Sequence, residues 1–91
     1  MRLDKFLQTS RIIKRRTVAT KLCSAGRVAV NDRSAKPGKE LQVGDTIHVR
    51  FGARGEMICE VLELPTRGIR KEDAAGLYKT LLDTRTSGAG E

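Results

Sequence analysis

The hydrophobic period of this chain switches at Gly26, and that change limits the fold more than any other feature. Before it, apolar residues recur every three or four positions; after it, they alternate. In RLDKFLQ, Leu3, Phe6 and Leu7 share one helical face, and Asp4 stands in the first turn, where the helix dipole favours an anion. The spacing predicts a short amphipathic helix ending near Ser10. A connector, SRIIKRR, offers Ile12 and Ile13 as core anchors. Thr17 suits an N-cap, Val18, Ala19, Leu22 and Cys23 form a second apolar stripe, and Gly26 suits the left-handed position just past a helix. A second helix is therefore predicted from about Val18 to Ala25.

Beyond Gly26, Val28 and Val30 alternate with Arg27 and Ala29, and Asn31-Asp32 reads as a turn. KPGKELQVGD is loop chemistry around Leu41 and Val43. In TIHVRF, Ile47, Val49 and Phe51 face one way while His48 and Arg50 face the other. GARG predicts a hairpin turn, and MICEVLEL a further strand that Pro65 ends. After a linker, TRG, the segment KEDAAGLYKTLL sets Ala74, Tyr78, Leu81 and Leu82 at helical spacing, with Glu72 and Asp73 at its start and Lys79 toward its end. The tail TRTSGAGE has nothing to pack and is expected to be disordered. The fold class is α+β: two short N-terminal helices packed on a small twisted antiparallel sheet, plus a short C-terminal helix. Its parts are residues 1–64 with the sheet, 65–83 as linker and helix, and 84–91 as tail.

Ninety-one residues hold one domain with a thin core. No apolar stretch approaches a membrane span, and MRLDKFLQTS lacks the apolar region of a secretory signal. The protein is expected in the cytoplasm, with Cys23 and Cys59 as free core thiols. The net charge of +7 is one-sided. Residues 1–36 carry ten Lys and Arg (Arg2, Lys5, Arg11, Lys14, Arg15, Arg16, Lys21, Arg27, Arg33 and Lys36) against Asp4 and Asp32. The remainder carries eight basic groups against nine acidic ones. Solubility does not require such asymmetry; a polyanion-binding face does.

Lys14, Arg15 and Arg16 sharpen the point. They precede a helix, whose positive end disfavours cations by a few tenths to about 1 kcal/mol each. A bound phosphate reverses that sign, because cations and helix N–H groups then attract it together. Arg2, Arg11 and Lys21 converge on the same face if the two helices pack. The scarce aromatics, Phe6, Phe51 and Tyr78, take core positions, so no platform for stacking single-stranded bases exists. Folded or double-helical RNA, recognised through phosphates and shape, fits best. Catalysis fits poorly. His48 is a lone histidine on an outward strand face, the cysteines lack metal-ligand spacing, and FGARGE lacks the Lys-Ser/Thr end of a phosphate loop. No cofactor is expected.

RLDKFL, the basic start of the second helix, GRVAVND, KPG and VGDTIHV together resemble the S-four RNA-binding domain, over about residues 1–51. The resemblance implies the αL-type module, two helices and a β-hairpin, that grips structured RNA through its helical face. The start MRLDKFLQTSRIIKRRTVA, VRFG and KEDAAGLYKTLL are similar to the small ribosome-associated quality control factors of bacteria. This implies a protein that binds dissociated large ribosomal subunits carrying stalled peptidyl-tRNA and contacts rRNA and tRNA. It would work as a monomer with a NEMF-type partner during C-terminal alanine tailing. Arg2 and Arg16 would contact rRNA, with Asp4, Lys5, Arg11, Lys14, Arg15 and Lys21 around them. Asp4 either orients a neighbouring arginine or is simply a helix-start anion. Alternatives are a heat-shock-type large-subunit recycling factor, whose relatives end in a basic tail, and an accessory domain of an RNA-modifying enzyme.

Overall fold

Leu3, Phe6 and Leu7 lie fully buried along one side of α1 (Leu3–Thr9), the first element of a computed structural model that describes residues 1–66 and 68–85. Ser10 closes the helix as expected, its hydroxyl donating to the Leu7 carbonyl at 3.3 Å. Arg11 then adopts φ 63°, a left-handed conformation that costs a non-glycine residue about 1–2 kcal/mol. The reversal buries Ile12 and Ile13, each 2% exposed, and leaves Arg11, Lys14 and Arg15 in solvent.

Helix α2 (Arg16–Ser24) begins earlier than the apolar stripe suggested. The Arg15 carbonyl accepts from the N–H groups of Val18 and Ala19, so Arg15 is the N-cap and Thr17 lies inside the helix. No side chain caps this end. Ala19 and Cys23 are buried, whereas Val18, placed on the stripe by its spacing, is 41% exposed. Gly26 takes φ 76° just past the helix, as its position predicted.

The strands are β1 (Val28–Val30), β2 (Arg33–Ser34), β3 (Thr46–Arg50), β4 (Glu56–Val61) and β5 (Tyr78–Asp83). They form one antiparallel sheet in the order β2-β1-β3-β4-β5. Asn31 and Asp32 both have positive φ, 52° and 68°, as a two-residue hairpin turn requires. The VND and VGD segments prove to be bonded to each other. The Asn31 amide donates to Asp45 at 3.1 Å and accepts from the Thr46 N–H at 3.0 Å, while Asp45 also receives the Gln42 N–H at 2.9 Å.

The C-terminal helix is present as a 3-10 helix over Lys71–Leu77 and stops there. The expectation that Tyr78, Leu81 and Leu82 continue it is corrected, since Tyr78–Asp83 pairs with β4. Without that pairing, β4 would present a row of unsatisfied N–H and C=O groups along its edge, and Gly76 weakens the helical alternative. Strand β4 also ends at Val61, short of Pro65, where the Leu62 N–H turns to the Leu77 carbonyl at 2.8 Å. Within the expected tail, Thr84 is bonded to Glu56 (N–H to carbonyl, 2.9 Å) and Arg85 to Asp83; 86–91 lie outside the described residues.

Both helices cover one face of the sheet. Phe6, Leu7, Ile12, Ala19 and Cys23 pack there against Val28, Val30, Ile47, Val49, Met57, Cys59 and Val61. Cys23 and Cys59 are unpaired and buried. No described helix is long and apolar enough to cross a membrane.

Candidate nucleic-acid interface

Asp4 organises the basic face. Its side chain is only 3% exposed, yet five donors converge on it. Oδ1 accepts the Lys5 backbone N–H at 2.8 Å, Arg2 Nε at 3.3 Å and Arg16 Nη2 at 3.4 Å. Oδ2 accepts Arg2 Nη2 at 3.4 Å and the Thr20 hydroxyl at 3.2 Å. Burial pushes the Asp4 carboxyl up, but the hydrogen bond and charge of Arg16, the charge of Arg2 and the Lys5 N–H outweigh it, and the carboxyl lies below its ordinary value. Of the two readings left open by the sequence, Asp4 is the one that orients arginines. It holds two of them.

The arginine side chains remain 52% (Arg2) and 46% (Arg16) exposed. Each therefore turns part of its planar fork toward Asp4 and keeps part for solvent or a ligand. Arg2 is fixed from its other side as well. The Leu3 N–H donates to the Lys39 carbonyl at 2.8 Å, the Asp4 N–H to the Pro37 carbonyl at 3.1 Å, and the Leu41 N–H to the Met1 carbonyl at 3.0 Å. These bonds lace the KPGKEL loop to the chain's start. Gly38 lies beneath the Arg2 guanidinium, where an added Cβ would stand 3.9 Å from Cζ.

Around this centre, Lys21 shares a shallow cleft of about 400 Å³ with Arg16, Thr17 and Thr20. Arg11, Lys14 and Arg15 are strung, exposed, along the connector, and Lys5 stands on the exposed side of α1. Among the described residues no carboxylate lies within salt-bridge distance of Lys5, Arg11, Lys14, Arg15 or Lys21. No acidic residue occupies the first turn of α2. The local field at that end is positive from side chains and backbone alike.

Thr20 and Lys39 escaped the sequence reading. Thr20 lies one turn beyond Arg16, its hydroxyl within 3.0 Å of the Arg16 carbonyl and 3.2 Å of Asp4, so it ties the arginine's helix to the carboxylate. The i, i+4 spacing of Arg16 and Thr20 was the available signal. Lys36 and Lys39 line a groove of about 680 Å³ with Arg33, Ser34 and Asn31. His48, expected to be exposed, is half-buried and hydrogen-bonded through Nε2 to Glu56 Oε1. Glu56 and Glu60 lie on the sheet face turned away from the helices, where they do not oppose the basic cluster.

Residues 1–47 match the S4 domain. The solved structure of Vibrio cholerae heat shock protein 15, described as trimeric, matches with a TM-score of 0.78 at 30% identity, over 88% of this chain and 80% of that one. Fold and basic face together define an S4-domain protein. Similarity at higher identity narrows the class. The RQC P-site tRNA stabilizing factor of Streptococcus pneumoniae is 47% identical over 85 residues, 93% of this chain and 94% of that protein. Its counterpart in Listeria innocua is 43% identical over 86 residues, 94% of this chain and 91% of that one. The chain belongs to the family of these RQC P-site tRNA stabilizing factors.

Proposed function

We propose that this protein is a non-catalytic RNA-binding factor that engages dissociated large ribosomal subunits carrying stalled peptidyl-tRNA. It contacts rRNA and tRNA there and supports C-terminal alanine tailing beside a NEMF-type factor, as a monomer in the cytoplasm. The observation that carries this reading is the Asp4-anchored pair, Arg2 and Arg16, half-exposed on a face with no competing carboxylate around its other cations. The names of the relatives, which specify stabilisation of P-site tRNA, support the choice of partner.

The mechanism is scaffolding. Guanidinium groups held at fixed positions meet phosphates that are themselves fixed in a folded RNA, so little ordering remains to be done on binding. Lys5, Arg11, Lys14, Arg15 and Lys21 add attraction with less geometric demand. Replacing Arg2 or Arg16 by Ala is expected to abolish co-sedimentation with large subunits while the far-UV spectrum stays unchanged. Retained binding in both variants would overturn the assignment. The fold shared with heat shock protein 15 favours a second reading, subunit recycling without tailing. Reconstituted tailing that proceeds equally well without this protein would select it.

A further inference from the structure

The sheet face turned away from the helices carries an arrangement of charge that folding alone disfavours. The Arg50 N–H donates to the Arg27 carbonyl at 2.9 Å, one step beyond the Val28–Val49 pair of β1 and β3. Arg27 and Arg50 are thus cross-strand neighbours. Val28 and Val49 are fully buried against the helices, so alternation turns both arginines to the open face. Like charges directly opposite each other on adjacent strands destabilise the pair.

Glu56 is the natural remedy, since it stands opposite Arg50 on β4. Its carboxylate is instead hydrogen-bonded to His48. Among the described residues, no carboxylate lies within salt-bridge distance of Arg27 or Arg50. Both arginines, His48, Glu56, Gly52 and Gly55 line a cleft of about 440 Å³. At Gly52 φ is 69°, and a Cβ there would stand 3.4 Å from Arg27 Nη1, so glycine leaves the arginine its room.

We propose that this cleft is a second phosphate-binding site, in which Arg27 and Arg50 bind and His48 is a positioning residue that holds Glu56 away from them. Its ligand is an RNA backbone phosphate, an identity that rests on the function proposed above. Because the cleft and the Asp4-centred cluster lie on opposite sides of the core, the ligand belongs to a different RNA element from the one held by α1 and α2. The protein then bridges two pieces of RNA.

The test begins with isotopically labelled full-length protein and inorganic phosphate, followed by NMR. The Arg27 and Arg50 Nε–H signals and the His48 ring are expected to move together and saturate, and Arg27→Gln with Arg50→Gln to weaken binding at least tenfold. Glu56→Gln should tighten binding several-fold by removing a competing anion. His48→Ala should weaken it, and Glu56→Gln in the same chain should restore it, a rescue that simple loss of packing would not give. Signals that stay still, an unchanged affinity in the double arginine variant, or no rescue would mean an adventitious ion only and would overturn the site.

Arg16→Ala separates the two readings. It should leave the phosphate response of the cleft intact; loss of that response would show that the site is not separate, and the inference would fail. If instead no variant affects subunit binding, the proposed function fails while the site stands. Large subunits with and without P-site tRNA test the ligand. The unsubstituted protein should prefer tRNA-bearing subunits, and the double arginine variant should lose that preference; a preference kept in full would refute the bridging role.

Discussion

Replacing Asp4 by Asn separates geometry from charge. The substitution raises the net charge from +7 to +8, so if overall charge set affinity, RNA binding would tighten. The structure requires the opposite. Asn keeps one acceptor for the Lys5 N–H, but it places an amide NH2 against donors of Arg2 or Arg16, and both guanidinium groups lose their counter-ion. The arginines are half-exposed and regain water, so each lost ion pair is worth about 0.2–1 kcal/mol rather than the larger cost of stranding a buried charge. Disturbing the hydrogen bond from Thr20 adds about 1 kcal/mol. The sum is about 1.5–3 kcal/mol, which in a domain of this size lowers Tm by roughly 6–24 °C.

Acid dependence provides an internal control. The folded Asp4 carboxyl lies below its ordinary value of 3.8, so its contribution to stability is complete above that value and is lost as pH falls through the depressed folded value. Asp4→Asn should therefore cost most at neutral pH, and the two stability curves should converge as pH falls below about 3.8. At neutral pH, with the variant held below its Tm, we expect affinity for large subunits to drop about tenfold, or about 1.4 kcal/mol. Thermal melts against pH and filter binding at fixed salt measure both arms. Binding that is unchanged or tighter in Asp4→Asn would refute the idea that the carboxylate fixes the arginines for a ligand.

Salt should weaken RNA binding, with log affinity falling against log salt at a slope near −4 to −5 for about six phosphate contacts; Arg15→Ala should flatten it by slightly less than one unit, and a flat profile in the parent would remove the polyanion reading. Gly55→Ala should destabilise by more than about 2 kcal/mol, because a methyl there stands 2.5 Å from the Thr84 carbonyl oxygen at φ 111°. Gly44→Ala, at φ 95° with no neighbour within 4 Å, should cost only about 1 kcal/mol of backbone strain; equal melting points for the two variants would contradict this account. Burial pushes the Cys23 thiol up to about 11, helped by the charge of Asp4, and the Cys59 thiol likewise to about 11. Roughly one thiol in a thousand is then ionised at pH 8, so both should resist a thiol reagent until the protein unfolds, and rapid labelling of the native protein would show the burial to be wrong.

What could be read from the chain was what neighbouring residues decide. The helical spacing of Leu3, Phe6 and Leu7, the left-handed Gly26 and the alternation of Val28 with Val30 each need only a few positions, and each matches the structure. Where the C-terminal segment departed from the reading, a distant strand had decided the outcome. Tyr78–Asp83 carries a helical pattern and becomes a strand because β4 offers it an unpaired edge. The basic residues of the site were legible as charge, but the arrangement was not, since Asp4 meets Arg16 and Thr20 across 12 and 16 positions of sequence. That arrangement bears on the kind of recognition proposed for this face. Attraction to a polyanion could be supplied by lysines on a loose tail, with no left-handed Arg11 and no buried acid. This chain instead places a carboxylate inside its basic face, giving up one unit of net charge, and aligns two planar forks against it. Such a construction lowers long-range attraction and fixes relative positions. For the RNA role proposed above, fixed positions of that kind would suit a folded target, whose phosphates stand in set places, better than an extended strand.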